Sequence, residues 1–147
     1  NGKFSSRGEV DWKLINMLMQ DNYFKKRHPK SLDNSYFKLD VFKYLDFYDA
    51  CATISAFTAV SIVQSLKTHR IKKVIITGGG AKNKFIIKLI RDLSNVQIIP
   101  NKDLDIKVDF VEAEAFSYLG VRRLKNLPIS FPGTTNVSSA TTGGKII

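Results

Sequence analysis

Three consecutive glycines are the residues whose type and position most clearly indicate chemistry in this sequence. Residues 74–77, VIIT, form a β-branched run, residues 78–80 are all glycine, and residues 83–93 then have the apolar spacing of a helix. A strand that ends in glycines and leads into a helix can cradle a nucleotide, because the helix N-terminal N–H groups are free and glycine lets a ligand approach the backbone. A tight turn with Asn83 as the helix N-cap explains the same pattern.

The glycine segment matches neither of two better-defined nucleotide motifs. A Walker A loop is excluded because the eight-residue spacing that ends in Gly-Lys-Ser/Thr is missing. The dinucleotide fingerprint is excluded because Asn83 stands where a third glycine would follow Gly78 and Gly80. On pattern alone, the nucleotide loop and the plain turn both stay open.

Other elements must position this loop. We predict long helices over residues 9–19, 47–68 and 109–126, the second with Asp46 as its N-cap. A second β-branched run, residues 96–100, completes a βαβ unit, so the two strands should be parallel with a right-handed crossover. Because stable sheets usually need three or more strands, we expect part of a larger α/β lobe whose strand edges lack their neighbours.

Burial can also be predicted from the apolar spacing. The VIIT run suits a strand buried on both faces. In the middle helix, the apolar positions interleaved with alanines are Ile54, Phe57, Ile62 and Leu66. The predicted inward side of the third helix consists of Phe110, Ala113, Phe116, Tyr118 and Leu119.

Composition is that of a soluble globular domain with a basic bias. The chain has 147 residues, 44% of them hydrophobic and 24% charged, and a net charge of +10. Such a charge could neutralise nucleic-acid phosphates. However, the lysines are scattered, with the densest basic groups at residues 25–27 and 70–73. We therefore expect a solvated basic surface and no nucleic-acid partner.

The remaining composition bears on compartment, membrane and metal. Cys51 is the single cysteine, which excludes a disulfide scaffold and favours a cytoplasmic location. The longest uncharged run, residues 50–66, is too polar and slightly too short for a bilayer crossing, so we expect no membrane segment. His28 and His69 have no metal-ligand spacing with Cys51 or a carboxylate, so we predict no metal site built by this chain.

Five segments carry a resemblance to a known family. They are HPKSLDNSYF (28–37), DACATISAFTAVSI (49–62), VIITGGGAKNKFIIKLI (74–90), DFVEAEAFSYLGVRRL (109–124) and LPISFPGTTNVSSATTGGKII (127–147). In this order they resemble the C-terminal portion of the anhydro-N-acetylmuramic acid kinases. Because the segments are ordered and cover nearly the whole chain, the resemblance is far more specific than one glycine motif.

The resemblance implies a fold and a reaction. The family belongs to the superfamily of sugar kinases, heat-shock ATPases and actin, which implies two ribonuclease-H-like lobes with ATP bound between them. Residues 1–147 would form one incomplete α/β domain, a partial ribonuclease-H-like (actin-like ATPase) lobe with three long helices around a βαβ unit and its first strands missing. The family uses ATP and Mg²⁺ to phosphorylate 1,6-anhydro-N-acetylmuramic acid. It opens the anhydro bridge with water and yields N-acetylmuramic acid 6-phosphate in cell-wall recycling.

The resemblance also implies a cofactor-binding segment. The residues that match the family's adenosine-side nucleotide loop are Gly78, Gly79, Gly80, Ala81 and Asn83. The glycines would let the nucleotide lie against the backbone. Asn83 would either cap the following helix or reach the ligand.

Two further segments match the family with their roles left open. Glu112 matches the family's glutamate near the sugar and the catalytic water, but Asp109 and Glu112 could equally form a capping pair at a helix start. Glu114 points elsewhere and is expected at the surface. Lys30 and Ser31 match a Pro-Lys-Ser segment, where they could shape the loop or contact a ligand.

Several parts of the family's machinery do not occur in this sequence. The phosphate loop, the acidic residues near Mg²⁺ and the base Asp lie in the family's N-terminal portion, and the chain has no Asp-Gly-Thr or Gly-Pro-Gly-Asn segment. The chain begins at Asn1 without methionine, so we expect that this is not its natural start. We expect a C-terminal kinase fragment with no catalytic residue of its own. It would be inactive without its N-terminal part, and a complementing chain or a homodimer partner could supply what is missing.

Two other classes of function stay open. A non-enzymatic basic module could bind nucleic acid through its charge, with affinity that falls steeply with salt, or a partner protein through exposed sheet edges. A small independent nucleotide-binding domain would bind ATP when the isolated chain is titrated. We expect such isolated binding to be weak or undetectable.

Overall fold

The computed structural model describes residues 1–33, 35–100, 107 and 110–145, and within them the fold is a helix-rich α/β arrangement. The α-helices are Trp12–Leu18 (α1), Asn22–Lys25 (α2), Phe47–Thr68 (α3), Lys84–Leu93 (α4), Val111–Leu124 (α5) and Pro132–Thr135 (α6). The strands are Lys73–Val74 (β1) and Gln97–Ile98 (β2). Short 3₁₀ helices cover Ser5–Arg7, Leu39–Phe42 and Gly79–Lys82.

Helix α3 is the central element, and its predicted start and end are confirmed. The Asp46 side chain accepts a hydrogen bond from the Asp49 N–H at 2.9 Å, which satisfies one of the free donors at the helix N-terminus. The predicted mixture of alanines and larger apolar residues does pack inward, with small residues buried and Ile54, Phe57, Ile62 and Leu66 half-buried. The buried residues of α3 are Ala52, Thr53, Ser55, Ala56, Ala59 and Val63.

Small side chains on α3 let α4 pack closely against it. Ala59, Val63 and Ile90 form a buried cluster, with Ile90 fully inaccessible to solvent. The half-buried residues around this cluster are Ile62, Ile76, Ile86, Leu89, Leu93, Val96 and Ile98. The core therefore lies between α3, α4 and the two strands, directly behind the glycine segment.

The expectation that residues 50–66 are too polar and too short to cross a membrane is wrong by length and composition, since the whole of helix α3 passes both tests. Its most apolar 18-residue window has a mean hydropathy of 1.3, and a third of that window is buried inside the chain. The core helix of a soluble protein passes the same test. The contacts of α3 with α1 and α4 are those of a core helix.

Residues 1–11, called the N-terminal strap below, pack along the start of α3. Ser5 Oγ lies 2.8 Å from Ser55 Oγ and 3.1 Å from the Cys51 carbonyl, and all of Ser5 is buried. A Cβ added at Gly8 would lie 2.1 Å from the Tyr48 carbonyl oxygen, so only glycine fits there. Helix α1 begins at Trp12, three residues later than predicted, because residues 9–11 belong to this strap and Asp11 caps the helix by accepting from the Leu14 N–H.

Strands β1 and β2 pair in parallel, as predicted. The register joins Lys73 to Gln97 and Val74 to Ile98. The prediction that VIIT is buried on both faces is wrong, because Ile75 is 40% exposed and the paired segment ends at Val74. Within the described residues the sheet has only two strands, so nothing covers its outer side.

Helix α5 departs most from the prediction. It has no buried residue, and most of the side predicted to face inward is exposed. Phe110, Phe116 and Tyr118 are all more than half accessible, and of the predicted set only Leu119 is half-buried. Its apolar spacing is correct, but no described element packs over that face. The helix begins at Val111 with Phe110 as N-cap. The proposed capping residue Asp109 lies outside the described residues.

Candidate functional site

The glycine segment forms the turn between β1 and α4. Gly78 has φ of 73° and ψ of −173°, a backbone conformation that favours glycine because it has no Cβ. A 3₁₀ turn over Gly79–Lys82 follows. Within it the Ala81 N–H donates to the Gly78 carbonyl at 3.1 Å, and the Asn83 N–H donates to the Gly80 carbonyl at 3.0 Å. The turn therefore has a defined shape.

The space outside this turn is open. A Cβ added at Gly78, Gly79 or Gly80 would meet no atom of the described chain within 4 Å. Backbone conformation requires glycine at Gly78, but packing within the described chain does not require it at the next two positions. An uncrowded glycine backbone, exposed at Gly79 and Gly80, is accessible to a ligand that approaches the main chain.

Asn83 caps helix α4. Its Oδ1 accepts from the Phe85 N–H at 3.1 Å and from the Ile86 N–H at 3.3 Å. Of the two roles that the sequence left open for Asn83, the capping role is confirmed. The cap fixes the point at which the glycine turn becomes helix. It also occupies the Phe85 and Ile86 N–H groups, so the expectation of free N–H groups at this helix N-terminus is wrong for these two.

The N-terminus of the chain packs against this cap, a contact that sequence reasoning missed. Gly2 has φ of 77°, and a Cβ there would lie 2.3 Å from Asn83 Oδ1. The Lys84 N–H also donates to the Asn1 carbonyl at 3.4 Å. A single glycine in a short polar segment gives no local signal of such a contact, because its partner is some 80 residues away in the sequence.

Glu112 lies in the first turn of α5 and is exposed. Within the described residues its carboxylate makes no hydrogen bond or ion pair, and the same holds for Glu114. The structure brings Gly78, Ala81 and Asn83 together in one turn, whereas Glu112 is on a separate helix. The exposed position predicted for Glu114 is confirmed.

Lys30 has a structural role in the loop after α2. Its Nζ donates to the Tyr23 carbonyl at 2.8 Å and to the Phe24 carbonyl at 3.4 Å, and it lies 4.4 Å from the centre of the Tyr23 ring. These carbonyls end the short helix α2, where a cation is favourable. Of the two roles left open, the contacts of Lys30 favour loop structure. Ser31 is exposed.

The described residues contain no group of three or more His, Cys, Asp or Glu side chains that could hold a metal ion. A Mg²⁺ ion prefers oxygen ligands, above all carboxylates and phosphates. The described part of the site thus has an uncrowded backbone at residues 78–80 but no carboxylate cluster for a metal.

Comparison with known proteins gives a consistent result. The model of the family described as "Anhydro-N-acetylmuramic acid kinase" matches residues 1–147. Curated proteins with that name are 40% identical in Zymomonas mobilis, 38% in Phenylobacterium zucineum and 36% in Caulobacter vibrioides, and the matches cover 99%, 99% and 100% of this chain.

These matches cover only part of the relatives. The chain spans about 40% of the length of each of these three proteins. The family match over residues 1–147 includes the five ordered segments described in the sequence analysis. By the family match over its whole length, the chain belongs to the anhydro-N-acetylmuramic acid kinase family.

Proposed function

We propose that this chain forms the adenosine-side part of the nucleotide site in an ATP-dependent anhydro-N-acetylmuramic acid kinase. The complete enzyme would transfer the γ-phosphoryl group of ATP to 1,6-anhydro-N-acetylmuramic acid, with addition of water across the anhydro bridge, to give N-acetylmuramic acid 6-phosphate. The backbone of Gly78, Gly79, Gly80 and Ala81 would lie against the nucleotide. Asn83 would hold the turn in place through its cap on α4.

The open space beside residues 78–80 carries this proposal. Packing within the described chain does not require glycine at residues 79 and 80. Glycine at these positions, between a strand and a capped helix, would instead let a ligand approach the backbone closely. Family membership supports ATP as that ligand. A turn that served only to reverse the chain would need its glycine only at Gly78.

Other groups of the reaction would come from the N-terminal portion of the kinase. Phosphoryl transfer needs a phosphate-cradling loop, Mg²⁺ ligands and a carboxylate base that activates the attacking water. The described residues hold no carboxylate cluster for the metal. Bound Mg²⁺ would neutralise charge on the phosphates, with ligands from outside this chain.

Glu112 is the substrate-side residue of the proposal. Its carboxylate is exposed in the first turn of α5 and has no partner within the described chain. It is therefore available to accept hydrogen bonds from sugar hydroxyls or from the catalytic water. We assign it to the sugar side of the cleft.

The proposal also specifies the domain, the location and the partners of the kinase. Residues 1–147 would be the C-terminal part of one ribonuclease-H-like lobe in a cytoplasmic enzyme of peptidoglycan recycling. Its partners would be the sugar and ATP, with no nucleic acid and no membrane. A complementing N-terminal chain or a homodimer partner would complete the cleft, and the chain would be inactive without it.

Complementation tests this function. The chain is mixed with the N-terminal 60% or so of the Zymomonas mobilis relative, whose remaining 40% it matches, and ATP-dependent phosphorylation of the anhydro sugar is followed by mass spectrometry. We expect product only when both parts and ATP are present. Product from neither this mixture nor one with the Caulobacter vibrioides counterpart would contradict the proposal.

A matched pair of variants then tests the glycine turn. Gly79→Val places a branched side chain in the open space, whereas Gly120→Val adds the same atoms on exposed α5, where a Cβ also meets nothing within 4 Å. We expect the first to raise KM for ATP by about tenfold or more, which corresponds to about 1.4 kcal/mol of binding. Equal KM values for the two variants would contradict a nucleotide role for the turn.

A further inference from the structure

A basic cavity of about 380 Å³ lies between the loop after α2 and the C-terminal turn of α3. It shares no residue with the glycine turn. Its lining residues are Phe24, Lys25, Lys26, Arg27, His28, Lys30, Gln64, Ser65, Thr68 and His69. Six of these ten can carry positive charge and none is acidic, so the cavity has a strong excess of one sign.

The cations at the mouth of the cavity lack partners. Within the described residues, the side chains of Lys25, Lys26 and Arg27 make no hydrogen bond, ion pair or ring contact. Lys43 and Lys88 are paired with carboxylates, but Lys72, Lys73 and Arg91 also lack such partners within the described residues. The cavity cations are therefore distinguished by lying next to one another at one cavity. Three adjacent uncompensated cations repel one another, and an anion between them would relieve that repulsion.

Two exposed histidines that line the cavity add to this excess. The rings of His28 and His69 meet edge to face with centroids 4.4 Å apart. Partial burial, and then the positive charges of His69 and Lys30, lower the pKa of His28. An anion in the cavity would favour the charged imidazole and so oppose this shift.

Two of the carbonyls at the C-terminal end of α3 are already occupied by the chain itself. A helix C-terminus carries partial negative charge on its free carbonyls. Here the Ile71 N–H donates to the Leu66 carbonyl at 2.9 Å, and the Arg70 N–H donates to the Lys67 carbonyl at 3.1 Å. Both carbonyls are thus satisfied by the chain that turns back after the helix.

We propose that this cavity binds the phosphate group of a small phosphate monoester. Arg27 would form paired hydrogen bonds to two phosphate oxygens, and Lys25 and Lys26 would act as point charges beside it. The Gln64 amide, which has no partner among the described residues, would orient the rest of the ligand. This inference does not depend on the proposed kinase function.

Charge and size favour this class of ligand. A phosphate monoester carries close to two negative charges at neutral pH, which matches several uncompensated cations better than a single carboxylate does. The cavity volume lies at the lower end of the range for small-molecule sites, which is about 300–1,000 Å³. A sugar phosphate matches both the charge and the volume of the cavity.

Titration calorimetry with glucose 6-phosphate as the probe, on the full chain at low salt, tests the proposal. We expect saturable binding that the triple variant Lys25→Gln, Lys26→Gln, Arg27→Gln weakens at least about tenfold, the change that about 1.4 kcal/mol produces. The matched control is Lys72→Gln, Lys73→Gln, Arg91→Gln, which removes the same charges from exposed positions outside the cavity. The control should bind like the original chain.

A second measurement locates the ligand. Proton NMR of the imidazole signals should show the pKa of His28 rising when glucose 6-phosphate is added, and not rising in the Lys25, Lys26, Arg27 triple variant. Glucose itself should leave the pKa unchanged. Inorganic phosphate should act like the sugar phosphate, and more weakly if the sugar also makes contacts.

Three results would overturn the proposal. The first is the absence of saturable binding, and the second is equal loss of affinity in both triple variants. The third is binding of a single-stranded oligonucleotide, with a steep salt dependence, when glucose 6-phosphate does not bind. If the triple variant does not fold by circular dichroism, Arg27→Gln alone is compared with Arg91→Gln, and equal affinities overturn the proposal in the same way.

Discussion

Helices α3 and α5 have opposite environments, although the sequence predicts that both pack inward through apolar residues. Helix α3 buries six residues against α1, α4 and the N-terminal strap, whereas α5 buries none. Both end in the same way, with a residue of positive φ, Arg70 after α3 and Asn126 after α5. The two helices therefore end alike and differ in what covers them.

The difference shows that burial is a property of the partner elements. The small side chains Ala52, Ala56 and Ala59 let other backbones approach α3, so that each of them is fully inaccessible. On α5 the large residues Phe116 and Tyr118 extend into solvent. An exposed aromatic face of this kind is typical of an interaction surface.

The largest effect should come from the core of the packed helix. Ile90→Ala removes a fully buried side chain from the cluster with Ala59 and Val63, and we expect it to lower the free energy of unfolding by about 2–5 kcal/mol. Phe116→Ala removes a larger side chain from α5 that is 72% exposed, and its effect should stay within about 0.5 kcal/mol. Urea unfolding followed by circular dichroism measures both.

If Ile90→Ala does not fold, Ile90→Val provides the same test with an expected loss of about 0.5–1.5 kcal/mol. A loss for Phe116→Ala as large as that for Ile90→Ala would mean that α5 is covered in solution. The comparison between the two helices would then be wrong.

A pair of glycines gives the next largest contrast. Gly8→Ala would place a Cβ 2.1 Å from the Tyr48 carbonyl oxygen at the start of α3. Because that oxygen belongs to the backbone, it cannot move aside as a flexible side chain could. We expect a loss of about 1–3 kcal/mol, as in other overpacked sites. Gly120→Ala, in the middle of exposed α5, should instead stabilise the chain by about 0.5–1 kcal/mol through helix propensity. Thermal unfolding distinguishes the two signs, and destabilisation by both variants would contradict the difference in packing.

Sequence patterns predicted those features that depend on nearby residues. The caps at Asp46 and Asn83 and the bounds of α3 and α4 follow from side chains within one helical turn of their targets. The parallel pairing of β1 with β2 follows from the helix between them. Such local rules hold whatever surrounds the chain.

Features set by distant residues could not be predicted. The exposed face of α5 and the exposure of Ile75 depend on elements that would have to pack over them, and periodicity alone does not reveal whether those elements are present. The contact of Gly2 with Asn83 joins two ends of the fold without any local pattern. In the candidate site, the turn and the cap were therefore predictable, but the strap that supports them was not.

The C-terminal ends of the two helices offer a smaller test. Arg70 and Asn126 have φ of 54° and 53°, in the left-handed region that disfavours side chains with a Cβ, although Asn tolerates it better than Arg. We expect Arg70→Gly to stabilise the chain by up to about 1 kcal/mol and Asn126→Gly by only a few tenths. The midpoints of urea unfolding measure both changes in stability, provided that the m-values of the variants are the same. A larger gain for Asn126→Gly would show that the two ends are not equivalent.

The smallest effect should be a pH dependence at the end of α3. Partial burial and the charges of His69 and Lys30 lower the pKa of His28, so the unfolded chain binds a proton more readily than the folded one. This contribution to stability is present above the unfolded value of about 6.5 and is lost as the pH falls through the lowered pKa of the folded state.

The His28→Gln variant should therefore lose less stability than the original chain between pH 7.5 and 5.5 in phosphate-free buffer. Urea unfolding at both pH values measures the difference, and identical losses in the two chains would show that His28 does not sense its charged neighbours. Helix α5 has no histidine at its corresponding end, so this pH dependence should be a property of the packed helix alone.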